Sequence, residues 1–458
     1  MDLSINKDVK SIYSQLEKAG FEVYLVGGCV RNLLMGISVT DWDMTTNATP
    51  TQIQEVFPDS FYDNDFGTVG VKYPVQSDDH KDYAEITTFR TESSYSDYRH
   101  PGEVIWGKTL DEDVSRRDFT VNALALKILN DGSCEIIDKV NGQEDLKNKL
   151  IRAVGNPDER FKEDALRLMR AVRFCAQLNF EIEEKTFTAI KNDSHLIEHV
   201  SHERIHDELI KILATDNAYK GIVILDEIGI LDIIFPELLK GKGVSQARPG
   251  RHHTTDVFTH NLLSLKECPS KDPLVKFSAL LHDVGKPYVA TNDKDGFVIF
   301  YNHEVVGAKV AREIAERLRF SNKDKDKIYT LIRWHMFTVD EHITDSAVRR
   351  FIRRVGLENV KDMIDLRIGD RLGGGTQTAE SWRLKKFKER LEEQLNPPFS
   401  INDMAIDGND IMTELNIRPG RKVGDILQKL FLEVDEDLSK NNKDYLISRL
   451  HEIEKEFS

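Results

Sequence analysis

The sequence predicts an α+β fold, in which a small mixed β-sheet head precedes an all-α neck, body and tail. Three observations lead to this prediction. Up to about residue 154, short β-rich runs alternate with helical and turn segments. Beyond it, apolar residues recur at three- and four-residue spacing, which is typical of amphipathic helices. Breaks rich in glycine or proline interrupt the helical part, and we therefore predict domains at 1–154, 155–240, 241–375 and 376–458.

The composition indicates a globular protein that works in a reducing compartment. Of the 458 residues, 40% are hydrophobic and 31% are charged, as in proteins with buried cores. Four scattered cysteines without a CxxC pair argue against a disulfide framework and against a zinc ribbon. No signal peptide is apparent, and no apolar run approaches the ~18 residues that span a bilayer. We therefore predict a cytoplasmic protein without a membrane partner.

The net charge of −15 argues against a protein that coats nucleic acid non-specifically. It leaves room for binding one RNA through local basic patches. Such patches occur in "SRRDF", "RLMRAVRF" and "AVRRFIRRVG", although arginines on a helix more often form a solvated face.

Six β-rich runs build the predicted head: EVYLVGG, DWDMTT, TVGVKYPV, YAEITTFR, VNALALKIL and CEIID. The first run leads into Gly27 and Gly28, after which a helix begins with Arg31 in its first turn. Paired glycines let the backbone approach a ligand closely, and a helix N-terminus presents N–H groups to phosphate oxygens. This turn is a weak signal alone, but with carboxylates soon after it, it predicts a triphosphate cradle.

Two aspartates follow in "SVTDWDMTTN". Asp41 and Asp43 would share one face of a strand, where a divalent cation such as magnesium would relieve their repulsion. A lone pair of this kind is more often two solvated turn aspartates. Glu85, within another strand, offers a third carboxylate. Two metal ions held by such carboxylates would activate a terminal hydroxyl and stabilise a departing pyrophosphate.

The run "RRDFTVNALAL" supplies further polar groups next to a buried strand. Arg116 and Arg117 could contact phosphate or ribose, and Asp118 and Asn122 could form hydrogen bonds with a ligand. Taken singly, the RRD triplet is more often a surface ion pair or a helix cap than a ligand-binding group.

The motifs "LVGGCVRNLLMG…TDWDMTT", "EITTFRTE", "RRDFTVNALA" and "EDALRLMRAVRF" occur in the order seen in class II tRNA nucleotidyltransferases. The chain resembles this family, which comprises CCA-adding enzymes and bacterial poly(A) polymerases, over residues 20–215. The resemblance implies a nucleotidyltransferase head with catalytic Asp41, Asp43 and Glu85 and with Mg²⁺. It also implies the nucleotide-binding residues Gly28, Arg31, Arg116, Asp118, Asn122, Asp164, Arg167, Arg170 and Arg173. The implied partners are tRNA, CTP and ATP, bound by a monomer or a homodimer.

One position departs from the family pattern. The family usually has aspartate after the arginine of GGxVR, where this chain has Asn32. Asparagine keeps the hydrogen bonding but loses a charge, so Asn32 is left out of the metal ligands.

Base selection is assigned to "RFKEDALRLMR", which reads as one helix. Asp164 and Arg167, at i and i+3, would then stand side by side. The carboxylate would accept from the exocyclic amine of cytosine or adenine, and the guanidinium would donate to the adjacent ring nitrogen. Uracil and guanine present the opposite pattern and would leave both groups unpaired. The alternative is an ordinary helical ion pair.

The stretch 91–115 is predicted to be a long polar loop, and loops of this length are usually functional or disordered. By family analogy it resembles the flexible element that accommodates ATP after two additions of C. Its length argues against an enzyme that adds only CC.

The predicted body carries histidines and aspartates on successive helical segments: His260, His282, Asp283, His303, His335 and Asp370. Each histidine alone is more often structural, but their order resembles the HD phosphohydrolase superfamily, with "HDVGK" as its core. The resemblance implies that a transition metal such as manganese, nickel or iron is bound by four of them: His260, His282, Asp283 and Asp370. The other two, His303 and His335, would complete a second site. Such a centre could cleave phosphomonoesters or cyclic phosphodiesters.

The leading hypothesis is template-independent addition of CCA to tRNA. Three alternatives stay open at the level of sequence: an A-adding enzyme, a poly(A) polymerase, and an HD metal phosphohydrolase with an inactive head. The tail, with "RPGRK", is predicted to bind RNA phosphate.

Overall fold

The computed structural model describes residues 3–64, 67–73, 83–90, 106–107, 109–247, 255–337, 343–394 and 400–454. It comprises two compact units. The first is Met1–Leu239 with Arg317–Arg319, and the second is Lys240–Glu316 with Phe320–Ser458. The further division of the chain into four domains stays a prediction. Within the described residues, no helix is long and apolar enough to cross a membrane.

The first unit opens with the predicted mixed sheet. Its strands are β1 (Val23–Val26), β2 (Asp43–Thr46), β3 (Phe61–Asn64), β4 (Thr68–Lys72), β5 (Tyr83–Thr88), β6 (Ala125–Ile128) and β7 (Cys134–Ile137). In the part of the chain that the structure describes, they lie in the order β3-β4-β5-β2-β1-β6-β7, and β2 and β5 run parallel while the other pairs are antiparallel. All six predicted strands form. The edge strand β3 is additional, because its two apolar residues are too few to show a period of two.

The sheet packs against helices whose apolar faces follow the expected spacing. The head helices are α1 (Lys7–Lys18), α2 (Gly28–Met35), α3 (Pro50–Val56), α4 (Leu110–Ser115) and α5 (Gly142–Asn148). In α1, Val9, Ile12, Tyr13 and Leu16 are buried at i, i+3, i+4 and i+7. The helix ends before Gly20, whose φ of 91° is unfavourable for other residues.

The remainder of the first unit is almost wholly helical, as the periodicity predicts. Its helices are α6 (Pro157–Glu163), α7 (Arg167–Leu178), α8 (Glu184–Asn192), α9 (His202–Leu213), α10 (Ala218–Glu227), α11 (Ile230–Ile234) and α12 (Pro236–Leu239). Two short parallel strands, β8 (Leu150–Ile151) and β9 (Glu181–Ile182), join the end of the head to this region.

The second unit is helical apart from the antiparallel pair β10 (Thr291–Asn292) and β11 (Val298–Ile299). Its helices are α13 (Val257–Glu267), α14 (Pro273–Leu281), α15 (Lys286–Val289), α16 (His303–Arg317), α17 (Asn322–Trp334), α18 (Asp345–Val355), α19 (Val360–Gly373), α20 (Trp382–Gln394), α21 (Gly408–Leu415), α22 (Arg421–Glu436) and α23 (Lys443–Glu454). Short 3₁₀ turns occur in both units, at Thr120–Asn122, Ser194–His199, Leu357–Asn359, Ile401–Asp403 and Leu438–Lys440.

Candidate active site and metal centre

The glycine turn lies between β1 and α2 and allows two functional side chains to approach the backbone. Gly27 has a φ of 74°, and Gly28 begins α2. A Cβ at Gly27 would lie 3.2 Å from a terminal nitrogen of Arg117 and 3.5 Å from a carboxylate oxygen of Asp43. A side chain there would crowd both groups, so this glycine is required by the conformation and by the close approach.

The three carboxylates lie on or just before two parallel strands. Asp43 opens β2 and is the register partner of Glu85 on β5, so the two residues are neighbours in the sheet. Asp41 lies two residues before β2 and is exposed, with the buried Trp42 between the aspartates. The prediction that both aspartates lie on the strand is therefore wrong for Asp41. On the β1 side, the strand pairing ends at Leu25 and Met44, and β1 itself ends at Val26, so Asp41 has no partner on that strand.

Arg116 and Arg117 are held by a residue that the sequence analysis did not select. Asp113, on α4, is fully buried and accepts from Arg116 at 2.6 Å and from Arg117 at 3.0 Å. Both arginines remain about one-fifth exposed. The spacing of i+3 and i+4 from an aspartate on a helix is the signal that could have identified Asp113.

Asp113 should also make the stability of the protein depend on pH. Burial alone would raise the pKa of its carboxyl, but Arg117 and Arg116 outweigh burial and lower the pKa to about 2, from 3.8. Above about pH 4 this contributes about 2 kcal/mol to the free energy of unfolding, and the contribution is lost as the pH falls towards about 2.

We therefore expect Asp113→Asn to lower the free energy of unfolding at neutral pH and to flatten its decline in acid. Urea unfolding between about pH 7 and pH 3 measures both effects. Asp111→Asn is the matched control, because that carboxylate is 67% exposed on the same helix. An Asp113→Asn protein that declines in acid as steeply as the wild type would contradict this account.

Buried Asp118 pairs with Arg170, whose side chain is partly exposed. Arg170 donates from Nε at 2.9 Å and from Nη2 at 2.5 Å to the same carboxylate oxygen. Burial alone would raise the pKa of Asp118, but Arg170 outweighs it and lowers the pKa to about 2. The other carboxylate oxygen accepts from the amide of Asn122 at 3.4 Å. In this structure the Asp118 carboxylate therefore forms its hydrogen bonds with protein groups, including the side chains of Arg170 and Asn122.

Arg31 extends this network to the helix that follows the glycine turn. Its Nη1 donates to Asn122 at 2.5 Å, and its Nε and Nη2 donate to the Asn32 side-chain oxygen at 3.1 and 2.9 Å. Burial lowers the pKa of Arg31 to about 10. Asn32, the position that departs from the family pattern, thus orients a neighbouring arginine.

Three guanidinium groups surround the ring of Phe174. Those of Arg31, Arg170 and Arg173 lie 5.4, 5.4 and 4.3 Å from its centre. Arg173 also pairs with buried Glu208 on α9 at 3.0 Å. The ring and Glu208 offset the repulsion between three close cations.

The predicted single helix through Asp164 and Arg167 is wrong. Asp164 terminates α6 with an extended backbone, φ −144° and ψ 102°, and Arg167 begins α7. Asp164 pairs with Arg204 at 2.7 Å, whereas Arg167 pairs with Glu163 at 2.6 Å. The helix breaks because the Asp164 carboxylate accepts the backbone N–H of Leu166, which competes with helical bonding.

The break nevertheless brings both residues to the same cavity, of about 340 Å³. The described residues that line it are Val26, Asp43, Met44, Thr87, Arg90, Arg116, Arg117, Asp118, Asp164, Leu166, Arg167, Arg170 and Arg204. Among the predicted site residues, Asp41, Glu85, Gly28, Arg31, Asn122 and Arg173 lie outside this described lining. Arg90 and Arg204 line the cavity and were missed. Arg90 lies in the motif EITTFRTE, from which only Glu85 was selected, and Arg204 lies outside the motifs that the sequence analysis used.

The loop predicted over 91–115 is largely outside the described residues, which omit 91–105 and 108. Its last part is not a loop. Leu110–Ser115 forms helix α4, which begins with a capping box between Thr109 and Glu112.

The second unit brings together all six predicted metal ligands. His260 lies on α13 and Asp370 on α19, with Nε2 and Oδ1 3.3 Å apart. These helices approach closely because α19 has glycines at the contact: a Cβ at Gly369 or Gly373 would lie 2.6 or 2.5 Å from Ser264.

The remaining ligands meet around Asp283. One carboxylate oxygen lies 3.4 and 3.3 Å from Nε2 of His260 and His282, and the other lies 3.2 and 3.7 Å from Nε2 of His303 and His335. Two ligand groups result, and they share Asp283. The first consists of His260, His282 and Asp283, and the second consists of Asp283, His303 and His335.

Backbone contacts orient the rings in this cluster. Nδ1 of His282, His303 and His335 donates to the carbonyl three residues earlier, at 2.8, 2.8 and 2.7 Å, which leaves each Nε2 for the centre. A Cβ at Gly285 would lie 2.2 Å from the carbonyl oxygen of His303, so this glycine of "HDVGK" lets the turn pack onto α16.

The electrostatics of the cluster fit a divalent cation. Burial would lower the pKa of His282, but Asp283 and Asp370 raise it to about 10, whereas burial lowers the pKa of His335 to about 3. The pKa of Asp283 is held well below its usual value by His282 and Lys286, against burial. The Lys286 ammonium contacts Asp283 directly. Buried carboxylates and imidazole nitrogens converging in this way suit Mn²⁺, Fe²⁺ or Ni²⁺.

Three protein-family models match the chain in succession. The Poly A polymerase head domain matches residues 23–152, the probable RNA and SrmB-binding site of polymerase A matches 179–241, and the HD domain matches 260–372. The matches therefore cover the sheet, helices α8 to α12 and the histidine cluster, whereas α6 and α7 lie between the first and second matches.

Similar proteins and structures bear the same name. The CCA-adding enzyme of Ligilactobacillus salivarius is 33% identical to this chain over 98% of this chain and 96% of its own length. The CCA-adding enzyme of Lactobacillus helveticus is 51% identical over 44% of this chain and 48% of its own length. The Bacillus stearothermophilus CCA-adding enzyme in complex with CTP has a TM-score of 0.68 at 24% identity, covering 98% of both chains. The Thermotoga maritima CCA-adding enzyme complexed with tRNA has a TM-score of 0.57 at 19% identity, covering 97% of this chain and 95% of its own.

At these identities the two structures show the fold alone, which is the predicted α+β fold. Family membership follows from the Ligilactobacillus relative, which is one-third identical over nearly the whole of both chains. The chain belongs to the family of CCA-adding enzymes, tRNA nucleotidyltransferases with a Poly A polymerase head and an HD domain.

Proposed function

We propose that this protein completes the CCA end of tRNA from CTP and ATP, and that the cavity of the first unit binds the incoming nucleotide. One observation carries the assignment of the site: Asp43, Arg116 and Arg117 line the same cavity as Asp164 and Arg167. Groups suited to metal and phosphate are therefore within one nucleotide's reach of groups suited to a base edge.

Asp41, Asp43 and Glu85 would hold Mg²⁺, which supplies charge stabilisation for the reacting phosphate when bound. Asp43 and Glu85 are neighbours on parallel strands, and Asp41 lies just before β2. Arg116 and Arg117, fixed by Asp113, present their partly exposed guanidinium groups to the phosphates. The N-terminus of α2 at Gly28 adds backbone N–H groups.

Asp164 and Arg167 would read the base. The Asp164 carboxylate accepts from the exocyclic amine of cytosine or adenine, and Arg167 donates to the neighbouring ring nitrogen. Arg167 is oriented by Glu163 and by the carbonyl oxygens of Arg160 and Arg116, at 3.1 and 3.0 Å. Asp164 and Arg167 thus reach the same cavity because of the break between α6 and α7, and not because they share one face of a continuous helix.

The function is tested by adding CTP and ATP, singly and together, to tRNA transcripts that end before CCA, after C and after CC. We expect the purified protein with Mg²⁺ to complete all three and then stop. Extension of only the CC-ended transcript by a single A would establish an A-adding enzyme instead. A long A tail would establish a poly(A) polymerase, and no extension would overturn the proposal.

We propose a second function for the histidine cluster: binding of a divalent transition metal such as Mn²⁺ or Ni²⁺ and hydrolysis of phosphomonoesters or cyclic phosphodiesters. The observation that favours it is the pair of ligand groups sharing buried Asp283. When bound, the metal would supply an activated water. Release of phosphate from model monoesters and opening of cyclic phosphodiesters, with each metal in turn, tests this activity.

The tail is proposed to contribute to RNA binding. Arg421, at the start of α22 and within the "RPGRK" turn, has a side chain 95% exposed, as a phosphate contact requires.

A further inference from the structure

Asp164 has two partners of its own in the structure. Its Oδ1 accepts the backbone N–H of Leu166 at 3.1 Å, and its Oδ2 accepts from Nη2 of Arg204 at 2.7 Å. The Asp164 and Arg204 side chains are 22% and 24% exposed, and both line the cavity. A guanidinium therefore lies immediately beside the acceptor assigned to the base amine.

Arg204 comes from a different part of the chain. It lies on α9, forty residues after Asp164, and this helix is anchored by the buried side chains of Ile205, Leu209 and Ile212. Its second terminal nitrogen, Nη1, is buried and has no hydrogen-bond partner among the described residues. Arg204 thus keeps one terminal nitrogen whose hydrogen-bonding capacity the described residues leave unused.

The four bases differ in the group that they would present to Asp164 and Arg204. Where cytosine and adenine carry an amine, uracil and guanine carry a carbonyl oxygen, which accepts hydrogen bonds. An ionised Asp164 meets an amine and repels a carbonyl oxygen, whereas a guanidinium in that position would do the reverse. The discrimination therefore depends on which of the two side chains faces the base.

We propose that Arg204 is a positioning residue for base selection. Its ion pair fixes the Asp164 carboxylate as an acceptor in the cavity, and the same ion pair keeps the Arg204 donors from the carbonyl oxygen of UTP or GTP. This inference rests on the proposed function, because it assumes that Asp164 faces the base. It makes Arg204 a residue that acts through Asp164.

The test measures kcat/KM for CTP and for UTP in single-nucleotide addition to a tRNA transcript that lacks CCA. The proteins are the wild type, Arg204→Met, Arg204→Lys, Asp164→Ala and the double variant Asp164→Ala with Arg204→Met. Lys211→Met is the matched control, since it removes another cation, 55% exposed, from the same helix. Thermal unfolding of each variant reports whether the fold is kept.

We expect Arg204→Met to reduce the CTP-to-UTP preference by about tenfold or more, as for loss of one hydrogen bond to a charged group. Arg204→Lys should retain part of the preference, because it keeps the charge. Asp164→Ala should shift the preference towards UTP, and the double variant should lose that shift, because the donor is gone. Lys211→Met should match the wild type.

Two results would overturn the inference while leaving the proposed function intact. One is an equal fall in kcat/KM for both nucleotides in Arg204→Met, which would mark a structural role. The other is an identical preference in Asp164→Ala and the double variant. If instead the wild type adds neither nucleotide, the proposed function fails, and the inference fails with it.

Discussion

Replacing Asp43 by alanine is expected to abolish nucleotide addition, with a loss of about a thousandfold or more. Asp43 lies beside Glu85 on the parallel strand pair and lines the cavity that also contains Arg117 and Arg167. Without this carboxylate the Mg²⁺ ions would lose a ligand, and the charge of the reacting phosphates would be poorly neutralised. Single-nucleotide addition of labelled CTP to tRNA measures the effect, and Asp41→Ala should behave in the same way.

A surface variant of the same type serves as the control. Asp59 is exposed in the turn before β3, so Asp59→Ala should add CTP at the wild-type rate. The Asp43→Ala protein should also bind added Mn²⁺ or Ni²⁺ as the wild type does and keep any hydrolysis at the histidine cluster. A loss of less than about a thousandfold in nucleotide addition by Asp43→Ala would contradict the assignment of the catalytic carboxylates.

Replacing Asp283 by asparagine is expected to remove the transition metal from the second unit. Asp283 belongs to both ligand groups and lies within 3.7 Å of Nε2 of His303 and His335. A neutral amide is a weaker ligand and no longer neutralises the cations around it. Metal content after dialysis against Mn²⁺ or Ni²⁺, measured by elemental analysis, should fall from the wild-type value to background.

The same change should separate metal binding from nucleotide addition. A ligand that binds only the folded protein raises its unfolding temperature, so Mn²⁺ should stabilise the wild type but not Asp283→Asn. Asp295→Asn, an exposed change in the loop between β10 and β11, should retain the metal. Wild-type metal content in Asp283→Asn would overturn the ligand assignment, and unchanged CTP addition by this variant would show that the two sites act independently.

Much of the site could be predicted because its signals are local. Gly27 and Gly28 mark a tight turn, and Asp43 and Glu85 lie in short β-rich runs that predict strands. The six residues of the metal cluster could be selected from their types and order alone. Their convergence around Asp283 agrees with that order, since each lies on or at the end of a helix, or in the turn that follows one, and the packed helices bring them together.

The remaining features depend on contacts between distant residues. The apolar periodicity predicts one helix through residues 160–170, but the structure breaks it at Asp164. The break occurs because the Asp164 carboxylate accepts the backbone N–H of Leu166, which is then unavailable for helical hydrogen bonding. Arg204 reaches Asp164 across forty residues, and Asp113 holds two arginines only because α4 is buried there. The sequence by itself determined the fold class, the order of the motifs and the chemical types in each site. The tertiary structure alone decided which charges pair, because ion pairs depend on distance and burial, and local periodicity reports neither.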